Sequence, residues 1–137
     1  DIDINSYKTI LLDNGVLQIA NSKNEKDSIH KNDNIYAYYY WLFPNFMINI
    51  YKWGISLNII EPINKNNTKI RFLSFPIKNK IQPKNIDSSI DIVEREDQDV
   101  VENVQRGINS MAYGKGRYSS IYEKGIHHFH TLIQKYI

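Results

Sequence analysis

Cysteine is absent from the 137 residues. Disulfides, thiolate nucleophiles, zinc–thiolate sites and iron–sulfur ligation by this chain are thereby excluded. An excess of charge of one sign is lacking too. The formal net charge is only +2, too small a field to point to nucleic acid or an acidic membrane as a partner. No apolar run approaches a membrane span, because residues 38–50 are interrupted by Pro44 and Asn45. The opening Asp1-Ile2-Asp3-Ile4 is not a basic segment followed by an apolar one, so no signal peptide is expected. These absences lead to the expectation of a soluble, cytoplasmic protein.

What is present is apolar and aromatic. Hydrophobic residues make up 42% of the chain and aromatics 12%, enough to build a core in one domain or in a piece of one. No internal repeat or linker divides the sequence. Residues 1–20 carry short alternating apolar runs around Asp13-Asn14-Gly15, which reads as strand–turn–strand. Residues 21–34 are polar and unpatterned, as in a solvent loop.

The middle is rich in strands. Residues 36–43 have aromatics on both faces, as in a strand buried on both sides or lining a cavity. Pro44-Asn45 breaks the run. Residues 45–51 then alternate, with Phe46, Ile48 and Ile50 opposite Asn45, Met47, Asn49 and Tyr51. Lys52-Trp53-Gly54 reads as a turn. Ile55, Leu57 and Ile59 alternate with Ser56 and Asn58 up to Pro62, and residues 68–75 form another strand. The expectation is an antiparallel meander with short turns.

A polar, Pro-bounded loop over 76–87 leads to a helix expected over about 89–111, with Asp87, Ser88 or Ser89 as cap and Gly114 and Gly116 at its end. Residues 117–126 read as a loop or short turn, and residues 127–136 as a terminal helix.

The long helix holds the most informative local feature. Ile90, Val93, Val100, Val101, Val104 and Ile108 fall at helical spacing and mark a face expected to be buried. Asp97 sits inside that stripe, four residues after Val93 and four before Val101. The other charges, Glu94, Glu96, Asp99, Glu102 and Arg106, lie on the flanks and outer face. A buried carboxylate must be paired, hydrogen-bonded or metal-bound, since an isolated buried charge costs several kcal/mol. Pattern alone leaves two readings open: a structural Asp bonded to a Tyr or Arg, or a metal ligand.

Residues 93–107 (VEREDQDVVENVQRG) resemble the ligand helix of Rieske non-heme iron oxygenase α-subunits, the aromatic-ring-hydroxylating dioxygenases. Residues 116–119 with His127-His128-Phe129-His130 resemble the family's closing segment. Residues 40–49 with Trp53-Gly54 resemble its central β-hairpin. The three blocks keep the family's order, and they resemble most the branch of choline monooxygenase and carnitine oxygenase.

The resemblance implies an α+β, helix-grip (START-like) fold in which an antiparallel sheet packs on the long C-terminal helix. Residues 1–137 would be the C-terminal part of the catalytic, mononuclear-iron domain, a partial domain without the Rieske domain. It implies a two-His, one-carboxylate Fe(2+) site with Asp97 as the carboxylate, and hydroxylation of an organic substrate with O2. Electrons would come from a [2Fe-2S] cluster on the missing Rieske domain, fed by a ferredoxin or reductase. A homo-oligomer, a trimer of the complete protein, is implied as well. The family's iron-binding histidine pair precedes the first strands of the sheet, and His30, in a polar loop, does not match it. The chain therefore reads as truncated, and by itself it is expected to be inactive.

Other residues are candidates for the substrate pocket. Asn49 and Asn58 lie on facing strand positions on the less apolar side, where they could hydrogen-bond substrate or form interstrand pairs. Tyr36, Tyr38, Tyr40 and Trp41 could form a cage for a quaternary ammonium group or could be core, and Tyr40 is taken as the third substrate-binding candidate. His127 and His130 share a helical face and could coordinate a metal, although a short His run often packs or caps. A second function stays open: a non-enzymatic helix-grip module that binds an apolar small molecule.

Overall fold

The computed structural model describes residues 2–30, 33–78 and 86–137, without the side chains of residues 4, 5 and 86–94. The elements are β1 (Ile2–Leu12), β2 (Gly15–Ser22), a short 3-10 turn (Glu25–Asp27), β3 (Ile35–Leu42), β4 (Phe46–Tyr51), β5 (Gly54–Asn64), β6 (Asn67–Pro76), α1 (Ile86–Ile108) and α2 (Lys124–Gln134). They form two compact units. One holds residues 1–80 with 118–137, and the other holds residues 81–117.

The first unit is a six-stranded antiparallel sheet in the order β1-β2-β3-β4-β5-β6, with α2 packed on β1 and β2. The expected meander is therefore present. Its turns are short because the sequence supplies turn residues where the apolar alternation stops. Asp13-Asn14 closes β1 on β2, and Gly15 opens β2 because a Cβ there would lie 2.3 Å from the Trp41 carbonyl oxygen. The β3–β4 turn contains a cis Phe43–Pro44 bond. Asn45 ties that turn to β5, since its Nδ2 donates to the Ile60 carbonyl at 2.7 Å and Ile60 N–H donates back to the Asn45 carbonyl at 2.9 Å.

Sequence reading ended the fifth strand at Pro62, but it runs on to Asn64. The reason is local. Beyond Ile60 the strand pairs with β6 alone, so the missing Pro62 N–H deprives no ladder on the other side.

The pairing register decides which side chains share a face. Thr9, Val16, Ala20, Ala37, Tyr39, Trp41, Met47, Asn49, Ser56 and Asn58 lie on one face. Helix α2 covers the β1–β3 end of that face. Its buried anchor is Leu132, 1% exposed, and the buried apolar strand residues are Val16, Ala20 and Ala37. A Cβ on Gly125 would meet Val16 Cγ1 at 3.3 Å, so the helix backbone sits close to the sheet. Phe129 meets Trp41 edge-on at 4.8 Å between centroids, and Tyr136 stacks on Phe43 at 4.8 Å. The terminal helix starts at Lys124, earlier than its expected 127, because this packing reaches back to Gly125. Within β3 only Ala37 is buried. The rest of the strand is half-buried, so the expectation of burial on both sides is not met.

The second unit contains α1. It forms over Ile86–Ile108, three residues ahead of the expected start and three short of the expected end at 111. Gly107 in its last turn weakens the helix, and Ser110 then turns the chain, its Oγ accepting from Ala112 N–H at 3.2 Å. Gly114 and Gly116 lie beyond that end. Asp87, Ser88 and Ser89 fall inside the helix rather than at its cap, and their side chains lie outside the described residues, as do those of Ile90 and Val93. Residues 79–85 of the expected loop lie outside them as well.

Candidate functional site

Asp97 lies in mid-helix with Val100, Val101, Val104 and Ile108 on the same side, as the spacing requires. The burial expected of that stripe is not met. Asp97 is exposed, and Val100, Val101, Val104 and Ile108 are 60%, 64%, 54% and 46% exposed. Among its described residues the unit holds one helix and the loop after it, with no second element to cover the stripe. The flanking polar side chains are engaged locally: Gln98 Nε2 donates to Glu102 Oε1 at 2.9 Å, and Asn103 Nδ2 to the Asp99 carbonyl at 2.8 Å. Among the described residues the salt bridges join Lys69 and Arg71 to Glu61, and Asp97 takes part in none. The structural reading, in which Asp97 is bonded to a Tyr or an Arg, therefore has no support among them.

On the sheet, Asn49 pairs with Tyr39 on one side and Ser56 on the other. Asn58 pairs with Met47 and Phe72. The two amides are thus on one face but diagonal, not directly opposite as the sequence suggested. Ser56 is buried, and its Oγ donates a long 3.4 Å bond to Asn58 Oδ1.

An aromatic wall adjoins Asn49. Tyr39 stacks on Tyr7 at 6.4 Å and meets Tyr51 edge-on at 5.9 Å, and Tyr51 stacks on Trp53 at 5.2 Å. Burial, and then the neighbouring phenols of Tyr51, Tyr7 and Tyr36 and a hydrogen bond with Tyr7, push the Tyr39 hydroxyl far above the ordinary phenol range. The Tyr39 hydroxyl therefore keeps its proton at neutral pH.

Tyr40 must be corrected. It pairs with Leu17 and Ile48, so it lies on the opposite face of the sheet from Asn49 and Asn58. Tyr38, paired with Ile19 and Ile50, lies there too, while Trp41 faces the other way and is occupied by Phe129. The proposed four-ring cage is thus split by the period-2 alternation of β3. Tyr39, Tyr51 and Ser56 take the place of Tyr40 beside the amides. Strand alternation hints at them, but only the β3–β4 register selects them.

The histidines separate in role. His128 Nε2 hydrogen-bonds the Leu12 carbonyl oxygen at 2.8 Å and ties α2 to the end of β1. His127 and His130 are exposed on the other side of the helix, with Tyr118 between them. His30 is exposed, its ring 6.3 Å from Tyr38. Among the described residues no three His, Cys, Asp or Glu side chains converge as a metal site. Asp97 and its surroundings therefore do not by themselves fit the iron that the fold family implies.

Comparison with known proteins fixes the class. Residues 16–137 match the family described as ring hydroxylating alpha subunit (catalytic domain). The chain belongs to that family. It is 34% identical over 141 aligned positions to choline monooxygenase of Amaranthus tricolor, covering 98% of this chain and 31% of that protein. It is 33% identical to the choline monooxygenase of Arabidopsis thaliana, covering 96% of this chain and 32% of that protein. The chain thus spans about a third of the length of the curated relatives it matches. Its fold is shared with a crystal structure of the quaternary ammonium Rieske monooxygenase CntA in complex with an inhibitor, at a TM-score of 0.77 and 21% identity, covering 98% of this chain and 39% of that one. The α+β architecture of antiparallel sheet and two helices is that of this catalytic domain.

Proposed function

We propose that the chain forms part of the catalytic domain of a Rieske-type oxygenase that hydroxylates a small organic substrate with O2, Asp97 being the carboxylate of a two-His, one-carboxylate iron site. The observation that carries this reading is the extent of the family match. It runs through both the strands that bear Asn49 and Asn58 and the helix that bears Asp97. The helix-grip arrangement of sheet and long helix belongs to the same reading.

The iron cannot rest on these residues alone, so no catalytic step is derived through it. Two imidazoles would come from outside residues 1–137. With no cysteine here, the [2Fe-2S] cluster and its docking site for a ferredoxin or reductase would lie elsewhere as well. The complete protein would be a homo-oligomer, a trimer. What this chain contributes is binding. The Asn49 and Asn58 amides offer hydrogen bonds, and the rings of Tyr39, Tyr51 and Trp53 offer faces that attract an organic cation. The relatives are named for action on choline, so a quaternary ammonium alcohol is the substrate to try first. The alternative, a non-enzymatic module for an apolar ligand, is not favoured by a family match that covers most of the chain.

A graft tests the reading. Residues 1–137 are placed in the Amaranthus tricolor choline monooxygenase in exchange for the segment they match. The graft is expected to take up iron and oxidise choline. Asp97→Ala should lose both, and Asn58→Ala should raise KM for choline with iron content unchanged. Retained iron and activity in Asp97→Ala would remove that residue from the site. On residues 1–137 alone, a stoichiometric ferrous site that depends on Asp97 would sink the claim that the ligands are shared with the rest of the protein.

A further inference from the structure

We infer that Tyr118, His127 and His130 form a metal site separate from Asp97, suited to a divalent first-row transition ion and to copper(II) above the others. All three residues belong to the sheet-bearing unit, and the oxygenase reading uses none of them.

His127 and His130 are three residues apart on α2, so their side chains leave the same face of the helix, and both are exposed. Tyr118, from the segment before the helix, lies against that face. Its hydroxyl is hydrogen-bonded to His130 Nδ1. Its ring meets the His127 ring edge-on with centroids 5.2 Å apart, and lies 5.7 Å from the His130 ring. The His130 ring is further held by Phe129 at 5.3 Å, itself lodged against Trp41.

Of the neighbouring groups, His128 Nε2 is held by the Leu12 carbonyl, and one Glu123 carboxylate oxygen accepts from Ser119 N–H. Two imidazoles and a phenol are left together. The phenol is the third donor because its hydroxyl already meets His130 Nδ1 and its ring meets His127.

The phenol–imidazole hydrogen bond shows why an ion fits. It holds one proton between two donor atoms. Two donors bound cis to one ion at about 2 Å each stand about 2.8 Å apart, which is about the ordinary separation of a hydrogen-bonded pair, so an ion can take the place of the proton. The Tyr118 O–H bond breaks, an oxygen–metal bond forms, the proton goes to solvent and no electron moves. Imidazole donors select copper, zinc, nickel and iron, and copper(II) binds most tightly of the divalent series.

The test is a copper(II) titration of the full chain with excess glycine present to mask the terminal amine. The expected result is one equivalent bound with a visible phenolate-to-copper charge-transfer band. Tyr118→Phe should abolish the band. His127→Gln leaves the Tyr118–His130 bond in place, so a loss of affinity of at least about tenfold there reports ligation and not misfolding. Asp97→Ala should leave binding unchanged, which separates this site from the oxygenase reading. Absence of the band in the unaltered chain, unchanged affinity in His127→Gln, or loss in Asp97→Ala would each overturn the site.

Discussion

At the scale of single residues, Tyr39 shows how a strand position acquires unusual chemistry. Burial, and then the phenols around it, raise its hydroxyl above the ordinary value of 10.0. The folded chain keeps this proton where the unfolded chain has released it. The stability contributed is therefore full below about pH 10 and is lost as pH climbs toward the folded value. Urea unfolding should show stability falling as pH rises above about 10, and Tyr39→Phe should flatten that fall. Equal slopes for the two proteins would reject the assignment. Gly54 makes a steric claim at the same scale. A Cβ there would lie 2.3 Å from the Phe75 carbonyl oxygen, a backbone atom that cannot swing aside. Gly54→Ala should cost about 1–3 kcal/mol in a denaturant melt, whereas the open site at Gly107 should accept Ala and gain up to about 1 kcal/mol of helix stability.

At the scale of elements, α2 is the piece that closes the core, and its energetics rest on few side chains. Leu132 is 1% exposed and Val101 is 64% exposed, so truncating each to Ala should have different consequences. Leu132→Ala should lower unfolding free energy by about 3 kcal/mol, and Val101→Ala should stay within about 0.5 kcal/mol. Comparable losses at both positions would mean that the stripe on α1 is buried after all. Most elements were legible in the sequence because alternation and helical spacing are local properties. Pro62 misled because its tolerance depends on which neighbour the strand has left by then. Tyr40 misled for a related reason. The period of β3 is local, but which of its faces meets Asn49 is set by the register across the Phe43-Pro44-Asn45 turn, and no residue type announces that. Asp97 stood out against the apolar residues around it, yet its exposure depends on what covers the helix, and that lies beyond its own sequence.

At the scale of the molecule, the sheet-bearing unit has a core of its own, whereas α1 has no buried side chain among the described residues of its unit. Residues 95–117 are exposed throughout. A helix in water gains most of its stability from packing of its apolar face, and propensity alone leaves it marginal. The amides of α1 should therefore exchange with deuterium far faster than those of β2 and β3, which are paired on both sides over residues 17–19 and 37–42. This bears on function because Asp97 is carried by the less protected element. If Asp97 serves the proposed iron site, Val100, Val101 and Val104 must be covered in the complete protein, because the described residues of their own unit do not cover them. In the choline monooxygenase graft, α1 should then become protected to the level of the sheet, and Val101→Asp should lower iron content although it leaves every proposed ligand in place. Protection of α1 equal to that of the sheet in residues 1–137 alone would reject the first half of this expectation. Unchanged iron content in the Val101→Asp graft would reject the second.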